Sequence, residues 1–161
     1  MDIFDEDIVS FWKLLNINKV CYLMVGGFAV NMHGYLRTTD DIDIWIKDDY
    51  ENRENLGRAM EMYGYKELCW KDIQFVPGWT NFNIGNGIVL DIMIEMKGLE
   101  GFSFDECLKL ASVASINEIQ VPFLHINQLI ANKRAVNRSK DQLDVIELEK
   151  IKLLRKEMGL D

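Results

Sequence analysis

Apolar and polar residues recur along this chain with two different periods, and these periods predict its secondary structure. Near the start, apolar residues return every three or four positions, which predicts an amphipathic helix over residues 5–15. The inward face of this helix is expected to hold Ile8, Phe11, Trp12 and Leu15. An uninterrupted apolar run from Val20 to Val25 follows and stops at paired glycines, which indicates a buried strand ending in a sharp turn.

The segment behind the paired glycines predicts a short helix and then a strand. Residues 28–34 carry apolar side chains at helical spacing and stop at a glycine. In residues 41–46, isoleucines alternate with other residues, so a strand would place all the isoleucines on one face. Asp41, Asp43 and Trp45 would then share the opposite face.

The rest of the chain predicts further elements within a single domain spanning residues 1–161. Helices are expected from an Asp48-Asp49 cap to Gly64, from a Ser103–Glu106 capping box to Leu110, over 125–135, and from a Ser139–Gln142 capping box onward. Strands are expected over 80–84 and 88–95, joined by a Gly85-Asn86-Gly87 hairpin, over 116–121, and once or twice within 65–76 before Pro77-Gly78. The last helix is expected to turn inward Leu143, Ile146, Ile151, Leu154 and Met158. This order predicts an α/β (α+β) fold, with helices packed on a mixed β-sheet.

Composition narrows the class of protein. A length of 161 residues, 48% of them hydrophobic, predicts one globular domain, and no apolar run approaches the length of a membrane span. A net charge of −8 argues against a protein that coats nucleic acid. The acidic first residues lack the features of a signal peptide. Cys21, Cys69 and Cys107 have no metal-ligand spacing and are interpreted as reduced, mostly buried thiols, so we expect a cytoplasmic protein.

The paired glycines and the two aspartates suggest a site for an anion and a metal. A strand, two glycines and a helix together direct free backbone N–H groups toward an anion. Asp41 and Asp43 on one strand face repel each other unless a cation lies between them, and hard oxygen ligands favour Mg²⁺ or Mn²⁺. Taken singly, Gly26-Gly27 is an ordinary tight turn and the aspartates a solvated strand face. Their combination suits a nucleoside triphosphate with its metal ion.

This segment resembles the DNA-polymerase-β-like nucleotidyltransferase superfamily, in particular its small bacterial members. The resemblance rests on Val25-Gly26-Gly27 and on Asp41-Ile42-Asp43-Ile44, with Arg37-Thr38-Thr39 just ahead of the aspartates. It covers about a sixth of the chain. The resemblance implies a nucleotidyltransferase fold in which both aspartates hold catalytic metal ions. Many members carry serine where Gly27 stands, so one side-chain hydroxyl of the motif is missing here.

Asp91 is the candidate for a third carboxylate. On the strand 88–95 it would lie among Val89 and Met93, where a charged group is costly without a partner. The superfamily resemblance implies a third metal-binding and catalytic carboxylate on a strand beside the Asp-x-Asp strand, and Asp91 matches it. Glu95 on the same face is the substitute candidate, and a structural aspartate is the alternative interpretation.

The phosphates of the nucleotide have several candidate partners. Backbone N–H groups of Gly26 and Gly27 are expected to contact the outer phosphates. Arg37 could bind the γ-phosphate, or else form a salt bridge with Asp40 or Asp41.

A second group of phosphate partners comes from the basic end of the chain, since eight of the 18 basic residues but only six of the 26 acidic ones follow Asn132. Residues 129–144 look like a stretch of abortive-infection-type and other minimal nucleotidyltransferases that lends basic residues to phosphates. By that resemblance Lys133, Arg138 and Lys140 are candidates, with a solvated helix surface as the alternative.

Three further side chains have structural interpretations. His33 and His125 have no metal-ligand companions, so both are expected to be structural. Trp45 shares the face of the two aspartates and could stack on a base, although packing against the sheet is the preferred interpretation.

Together these features predict a Mg²⁺- or Mn²⁺-dependent nucleotidyltransferase that moves a nucleoside monophosphate from an NTP such as ATP to a hydroxyl. The hydroxyl of an antibiotic, of a tRNA 3′ end or of a protein side chain would each be compatible with the sequence. One alternative is a toxin–antitoxin component that acts mainly by binding nucleotide or a small helical protein partner. Another is a sugar-nucleotide glycosyltransferase that uses Asp-x-Asp, although such folds normally need a longer chain.

Overall fold

A computed structural model describes residues 1–66, 69–75, 80–84 and 87–160 of the chain, and it has the expected α/β architecture. The helices are α1 (Glu6–Ile17), α2 (Gly26–His33), α3 (Tyr50–Tyr63), α4 (Phe104–Leu110), α5 (Ile126–Val136) and α6 (Ser139–Glu157), with a 3-10 turn at Trp70–Asp72. The strands are β1 (Tyr22–Met24), β2 (Asp41–Ile46), β3 (Thr80–Asn83), β4 (Val89–Met93), β5 (Ser112–Ile116) and β6 (Ile119–Phe123).

All six strands belong to one mixed sheet in the order β3-β4-β2-β1-β6-β5. β2 runs parallel to β4 and β1 runs parallel to β6, while the other neighbours are antiparallel. The mixed β-sheet fold is therefore confirmed. Its two central strands are β2 and β1, and β2, between β4 and β1, brings its aspartates to the middle of the sheet.

The apolar periodicity positions most elements as expected. Ile42, Ile44 and Ile46 of β2 are fully buried, and so is the predicted inward face of α1. α1 packs against α3, whereas α2 packs against α5 and α6. The predicted caps of α3 and α4 are present, because Asp49 accepts from the Asn52 N–H and Ser103 forms a capping box with Glu106. Hydrophobic burial therefore accounts for the first half of the chain.

Two strand predictions are wrong. The described part of 65–76 contains a 3-10 turn and no strand, while Val76, Pro77 and Gly78 lie outside the described residues. The single late strand expected over 116–121 is a hairpin of β5 and β6, with positive φ angles at Asn117 and Glu118. β5 is an edge strand of small, half-exposed residues, so its sequence carries little apolar alternation.

The pairing of β3 with β4 confirms the other predicted hairpin, since Ile84 N–H donates to the Ile88 carbonyl at 2.8 Å. Gly85 and Asn86 of its turn lie outside the described residues.

The predicted inward face of α6 is also wrong. Leu143, Ile146, Leu154 and Met158 are more than half exposed, and of the five expected residues Ile151 alone packs against the core. The residues that α6 buries are Asp141, Asp144 and Leu148. The cap is shifted as well, because the helix is capped from its N3 position, where the Asp141 carboxylate accepts from the backbone N–H of Arg138 at 3.0 Å, and no capping box starts at Ser139. Two buried aspartates outweigh the apolar pattern here because basic side chains from elsewhere in the fold pair with them.

None of the three cysteines forms a disulfide within the described residues, and they differ in burial. Cys107 is buried and Cys21 half-buried, whereas Cys69 is exposed, so the expectation of mostly buried thiols is correct only in part. None of the helices within the described residues is long and apolar enough to cross a membrane.

Candidate functional site

The structure brings the three predicted carboxylates to one cavity. Because β2 and β4 are parallel and in register, Asp43 lies directly opposite Asp91. Asp41 lies two residues before Asp43 on β2, so its side chain is on the same face of the sheet. All three line a cavity of about 1300 Å³. Glu95 also lines this cavity, but it lies beyond the end of β4 and is exposed.

The surroundings of Asp43 and Asp91 favour the protonated form of both carboxyl groups. Burial, together with the neighbouring charge of Asp91, raises the pKa of Asp43 to about 7, although the charge of Lys133 opposes the rise. Burial also raises the pKa of Asp91, while a hydrogen bond from Asn81 opposes the rise. Two carboxylates on adjacent strands therefore resist ionising together, which is the behaviour of a pair that lacks a compensating cation.

Neither of the paired glycines leaves room for a side chain, because both lie in close contact with other residues of the site. Gly26 has φ +63°, and a Cβ there would lie 2.1 Å from the Asp43 Oδ2 atom. Gly27 is the second residue of α2, and its backbone hydrogen bond to Asp43 lowers the pKa of that carboxyl. A Cβ on Gly27 would lie 2.4 Å from the Oγ1 atom of Thr39. The turn thus places the N-terminus of α2 against Asp43, at the wall of the cavity.

Thr39 and Asn81 belong to the site, although sequence reasoning did not single them out. Thr39 is buried, lines the cavity, and occupies with its hydroxyl the space that a side chain on Gly27 would need. Asn81 lies opposite Asp91 on β3 and donates an N–H to its carboxylate. The Thr39 hydroxyl thus lies where a side chain on Gly27 would begin, and the Arg37-Thr38-Thr39 sequence was the signal that could have indicated it.

A buried ion network stands behind the site and ties α6 to it. The Arg37 guanidinium donates from Nε and Nη2 to both oxygens of Asp144, at 2.7 and 2.8 Å. Lys133 is 3% exposed, and its Nζ lies 3.1 Å from Asp141 and 3.0 Å from Asp144. The alternative interpretation of Arg37, a salt bridge to Asp40 or Asp41, named the wrong partner, since its carboxylate partner is Asp144. The two aspartates of α6 hold both cations at the cavity wall.

The remaining basic candidates are more accessible. Arg138 pairs with Asp141 through Nε at 2.7 Å, yet its side chain is half exposed and lines the cavity. Lys140 is exposed, lines the same cavity, and makes no ion pair with another described residue. The structure therefore gathers Arg37, Lys133, Arg138 and Lys140 along one wall, the last of them with a free ammonium group.

The opposite part of the cavity is apolar. Trp45 donates its indole N–H to the Ile94 carbonyl at 3.1 Å and packs edge-on against Phe104, so it packs against the sheet as preferred. Other apolar side chains extend this wall: Met93, Met96, Leu99 and Phe102.

Neither histidine is placed as a metal ligand. His33 is buried and bonds through Nε2 to the Leu124 carbonyl at 2.8 Å, while Arg155 of α6 approaches its Nδ1. His125 caps α5 by accepting from the Asn127 N–H. Both are structural, as expected.

The chemistry of the carboxylate set fits a hard divalent cation. Asp41, Asp43 and Asp91 offer only oxygen donors, and the raised pKa of the facing pair shows that negative charge there needs compensation. Among the described residues, no three carboxylate, histidine or cysteine side chains are arranged closely enough to hold a metal ion by themselves. Such a cation would therefore complete its coordination with the oxygens of a bound ligand or water.

Comparison with known proteins identifies solved structures that have a similar fold. No family model matches the chain, and no curated protein matches it. The lincosamide antibiotic adenylyltransferase LnuA, bound to lincomycin, superposes with a TM-score of 0.62 at 18% identity, covering 91% of this chain and 97% of LnuA. ANT(2'')-Ia in complex with adenylyl-2''-tobramycin gives a TM-score of 0.57 at 18% identity, covering 92% of each chain.

A fungal structure is similar too. An antigenic nucleotidyltransferase-like protein from Paracoccidioides brasiliensis gives a TM-score of 0.52 at 16% identity, covering 88% of this chain and 72% of that protein. At these identities the similarity shows the nucleotidyltransferase fold. The narrower resemblance to small bacterial or abortive-infection-type members stays a prediction.

Proposed function

We propose that this protein is a metal-dependent nucleotidyltransferase that transfers a nucleoside monophosphate from ATP to a hydroxyl group. The observation that carries the proposal is the parallel register of Asp43 with Asp91, beside the Gly26-Gly27 turn and on the wall of one large cavity. The similarity to LnuA and ANT(2'')-Ia supports the same kind of reaction, since both are antibiotic-modifying proteins of this fold.

Each part of the cavity has a role in this reaction. The N–H groups at the start of α2, together with Arg138 and Lys140, hold the phosphates. Asp41, Asp43 and Asp91 hold Mg²⁺, which when bound supplies neutralisation of the charge on the phosphate oxygens. Arg37 and Lys133 add fixed positive charge from behind the wall.

Asp91 also accepts the acceptor's hydroxyl proton, and Asn81 orients its carboxylate for this purpose. The acceptor oxygen then bonds to the α-phosphorus, the bond to the bridging oxygen breaks, and pyrophosphate leaves.

The acceptor is proposed to be a small molecule. Beyond Asp43 and Asp91 the strands continue into an apolar wall that includes Trp45, Met93 and Phe104, and Glu95 and Glu100 add negative charge at the same cavity. A tRNA end would meet this acidic rim on a chain of net charge −8, which disfavours it. A compound with an apolar part and an amine or hydroxyl groups suits the same surface.

The test combines calorimetry with a transfer assay. Isotopically labelled ATP and Mg²⁺ are incubated with a panel of small hydroxyl compounds, and label transfer and pyrophosphate release are followed. The Asp91→Asn variant should retain most ATP affinity but lose transfer by roughly a hundredfold or more, which is the scale of one positioned acid–base group. Asp105→Asn, the same chemical change at an exposed aspartate that does not line the cavity, should retain transfer.

Two results would contradict the proposal. An Asp91→Asn variant that transfers label as well as the parent would move the chemistry away from this aspartate. A parent that shows no binding of ATP with Mg²⁺ by calorimetry would leave a nucleotidyltransferase fold without nucleotide chemistry.

A further inference from the structure

Thr39 carries a buried hydroxyl that the described residues satisfy poorly. Thr39 lies just before β2, and 8% of the residue is exposed. Its hydroxyl oxygen is 3.5 Å from the Asp41 carbonyl oxygen, whereas O–H···O hydrogen bonds normally span about 2.5–3.0 Å. Within the described part of the chain, the hydroxyl makes no other hydrogen bond. Because buried polar groups normally have a partner at full hydrogen-bond distance, this hydroxyl is available to a ligand.

The hydroxyl lies where an anionic ligand can reach it. Thr39 lines the same cavity as the three carboxylates, and its Oγ1 atom occupies the space that a Cβ atom on Gly27 would need. Gly27 is the second residue of α2, and the N–H groups at the start of a helix carry partial positive charge. The Nη1 atom of Arg37 is 3.3 Å from that same Cβ position. An anion at this turn therefore meets the hydroxyl together with two sources of positive charge.

The first turn of α2 also has fewer donors to offer than its backbone suggests. The backbone N–H of Gly27 already forms a hydrogen bond with the Asp43 carboxyl group. Gly27 has no side chain of its own, and the Oγ1 and Cβ atoms of Thr39 leave no room for one. A side-chain hydroxyl at this turn therefore has to come from a neighbouring segment, and Thr39 supplies one.

We propose that the Thr39 hydroxyl binds an outer phosphate of ATP by donating a hydrogen bond to one of its oxygens. This inference rests on the proposed function, because it assigns a further contact within the same nucleotide site. Donation to the phosphate needs only a rotation of the hydroxyl and replaces the long contact with the Asp41 carbonyl. The exchange is favourable, since hydrogen bonds to charged oxygens are stronger than those between neutral groups.

A purely structural threonine would respond differently to the loss of its hydroxyl. Thr39→Val keeps the shape of the side chain and replaces the hydroxyl with a methyl group. Where a buried hydroxyl has no good partner, this exchange costs little stability and can increase it. The free variant should therefore be at least as stable as the parent, while its binding of the nucleotide weakens. Weaker binding without a loss of stability distinguishes a ligand contact from a structural role.

Calorimetry with two ligands, ATP and inorganic triphosphate, each with Mg²⁺, tests the contact. Thr39→Val should raise the dissociation constants of both ligands by roughly tenfold or more, the scale of one hydrogen bond to a charged group. Thr39→Ser is the matched control, because it keeps the hydroxyl and should bind both ligands nearly as the parent does. Urea denaturation without ligand measures the stability of both variants.

The possible outcomes separate this contact from the proposed function. A parent that binds ATP, with a Thr39→Val variant that binds it equally well, overturns the contact and leaves the proposed function standing. A parent that binds no ATP with Mg²⁺ overturns both. Equal losses of affinity in Thr39→Ser and Thr39→Val would assign the effect to side-chain shape and overturn the role of the hydroxyl. A loss for ATP without one for triphosphate would place the contact away from the phosphates and overturn the assignment.

Discussion

Helices α1 and α6 each carry a face of apolar residues, yet they pack against the rest of the protein in opposite ways. α1 buries Phe11, Trp12 and Leu15 and leaves its charges in solvent. α6 buries Asp141 and Asp144 and leaves most of its apolar face exposed. The comparison teaches that apolar spacing predicts which residues form a face, but not which face turns inward. Where a helix also carries charged residues that can pair with residues distant in the chain, those partners determine which face of the helix is buried.

The largest loss of stability is expected when a buried carboxylate of α6 is removed, because the ion pairs of that carboxylate determine which face of the helix is buried. Asp144→Ala leaves Arg37 and the buried Lys133 without a shared carboxylate, so it should destabilise the fold by about 4 kcal/mol. Urea denaturation followed by circular dichroism measures the loss. Glu149→Ala is the control on the same helix, because its ion pair with Arg134 is exposed and should contribute less than about 1 kcal/mol. Equal losses in the two variants would mean that the buried network does not hold α6.

The next largest loss of stability is expected in α1, the helix that buries its apolar face. Leu15→Ala in α1 removes a fully buried side chain and leaves a cavity, so the free energy of unfolding should fall by about 3 kcal/mol. The same denaturation experiment measures it. A loss below about 1 kcal/mol would show that α1 is only loosely packed, contrary to its burial.

A pH effect examines the contact between α6 and α2. Burial of His33 lowers its pKa from 6.5 to about 4, so the folded protein keeps the ring neutral. The unfolded chain takes up the proton first, near pH 6.5. The stability from His33 is therefore complete above that pH and is lost as the pH falls toward 4. By pH 5 the loss should reach about 2 kcal/mol.

Comparing unfolding free energies at pH 7 and pH 5 in the parent and in His33→Gln isolates this contribution. The variant should show a smaller fall between the two pH values. The same fall in both proteins would mean that His33 does not titrate across this window.

The smallest effect is expected on the outer face of α6. Leu153→Ala makes the same chemical change as Leu15→Ala, but the side chain is exposed, so monomer stability should change by less than about 0.5 kcal/mol. A loss comparable with that of Leu15→Ala would mean that Leu153 is covered within the monomer.

Sequence alone predicted the core of the candidate site because its signals are local. The apolar run before Gly26, the helix after it and the alternation around Asp41 and Asp43 each lie within a few residues. The prediction of Asp91 needed a second strand, but the alternation of residues along β4 already indicated which face of that strand Asp91 occupies. Thr39 and Asn81 were not singled out, since their roles arise from contacts with Gly27 and Asp91 that the folded sheet creates.

The chain's local patterns therefore determined the α1 face, the strand–glycine–helix turn and the shared face of the three aspartates. Burial of apolar side chains at fixed periods is a local property that the folded state preserves. The orientation of α6 was decided by tertiary structure, because Arg37 and its partner Asp144 are 107 positions apart in the chain. A carboxylate can be buried only where a cation meets it, and no spacing within residues 139–157 shows that the cation is there.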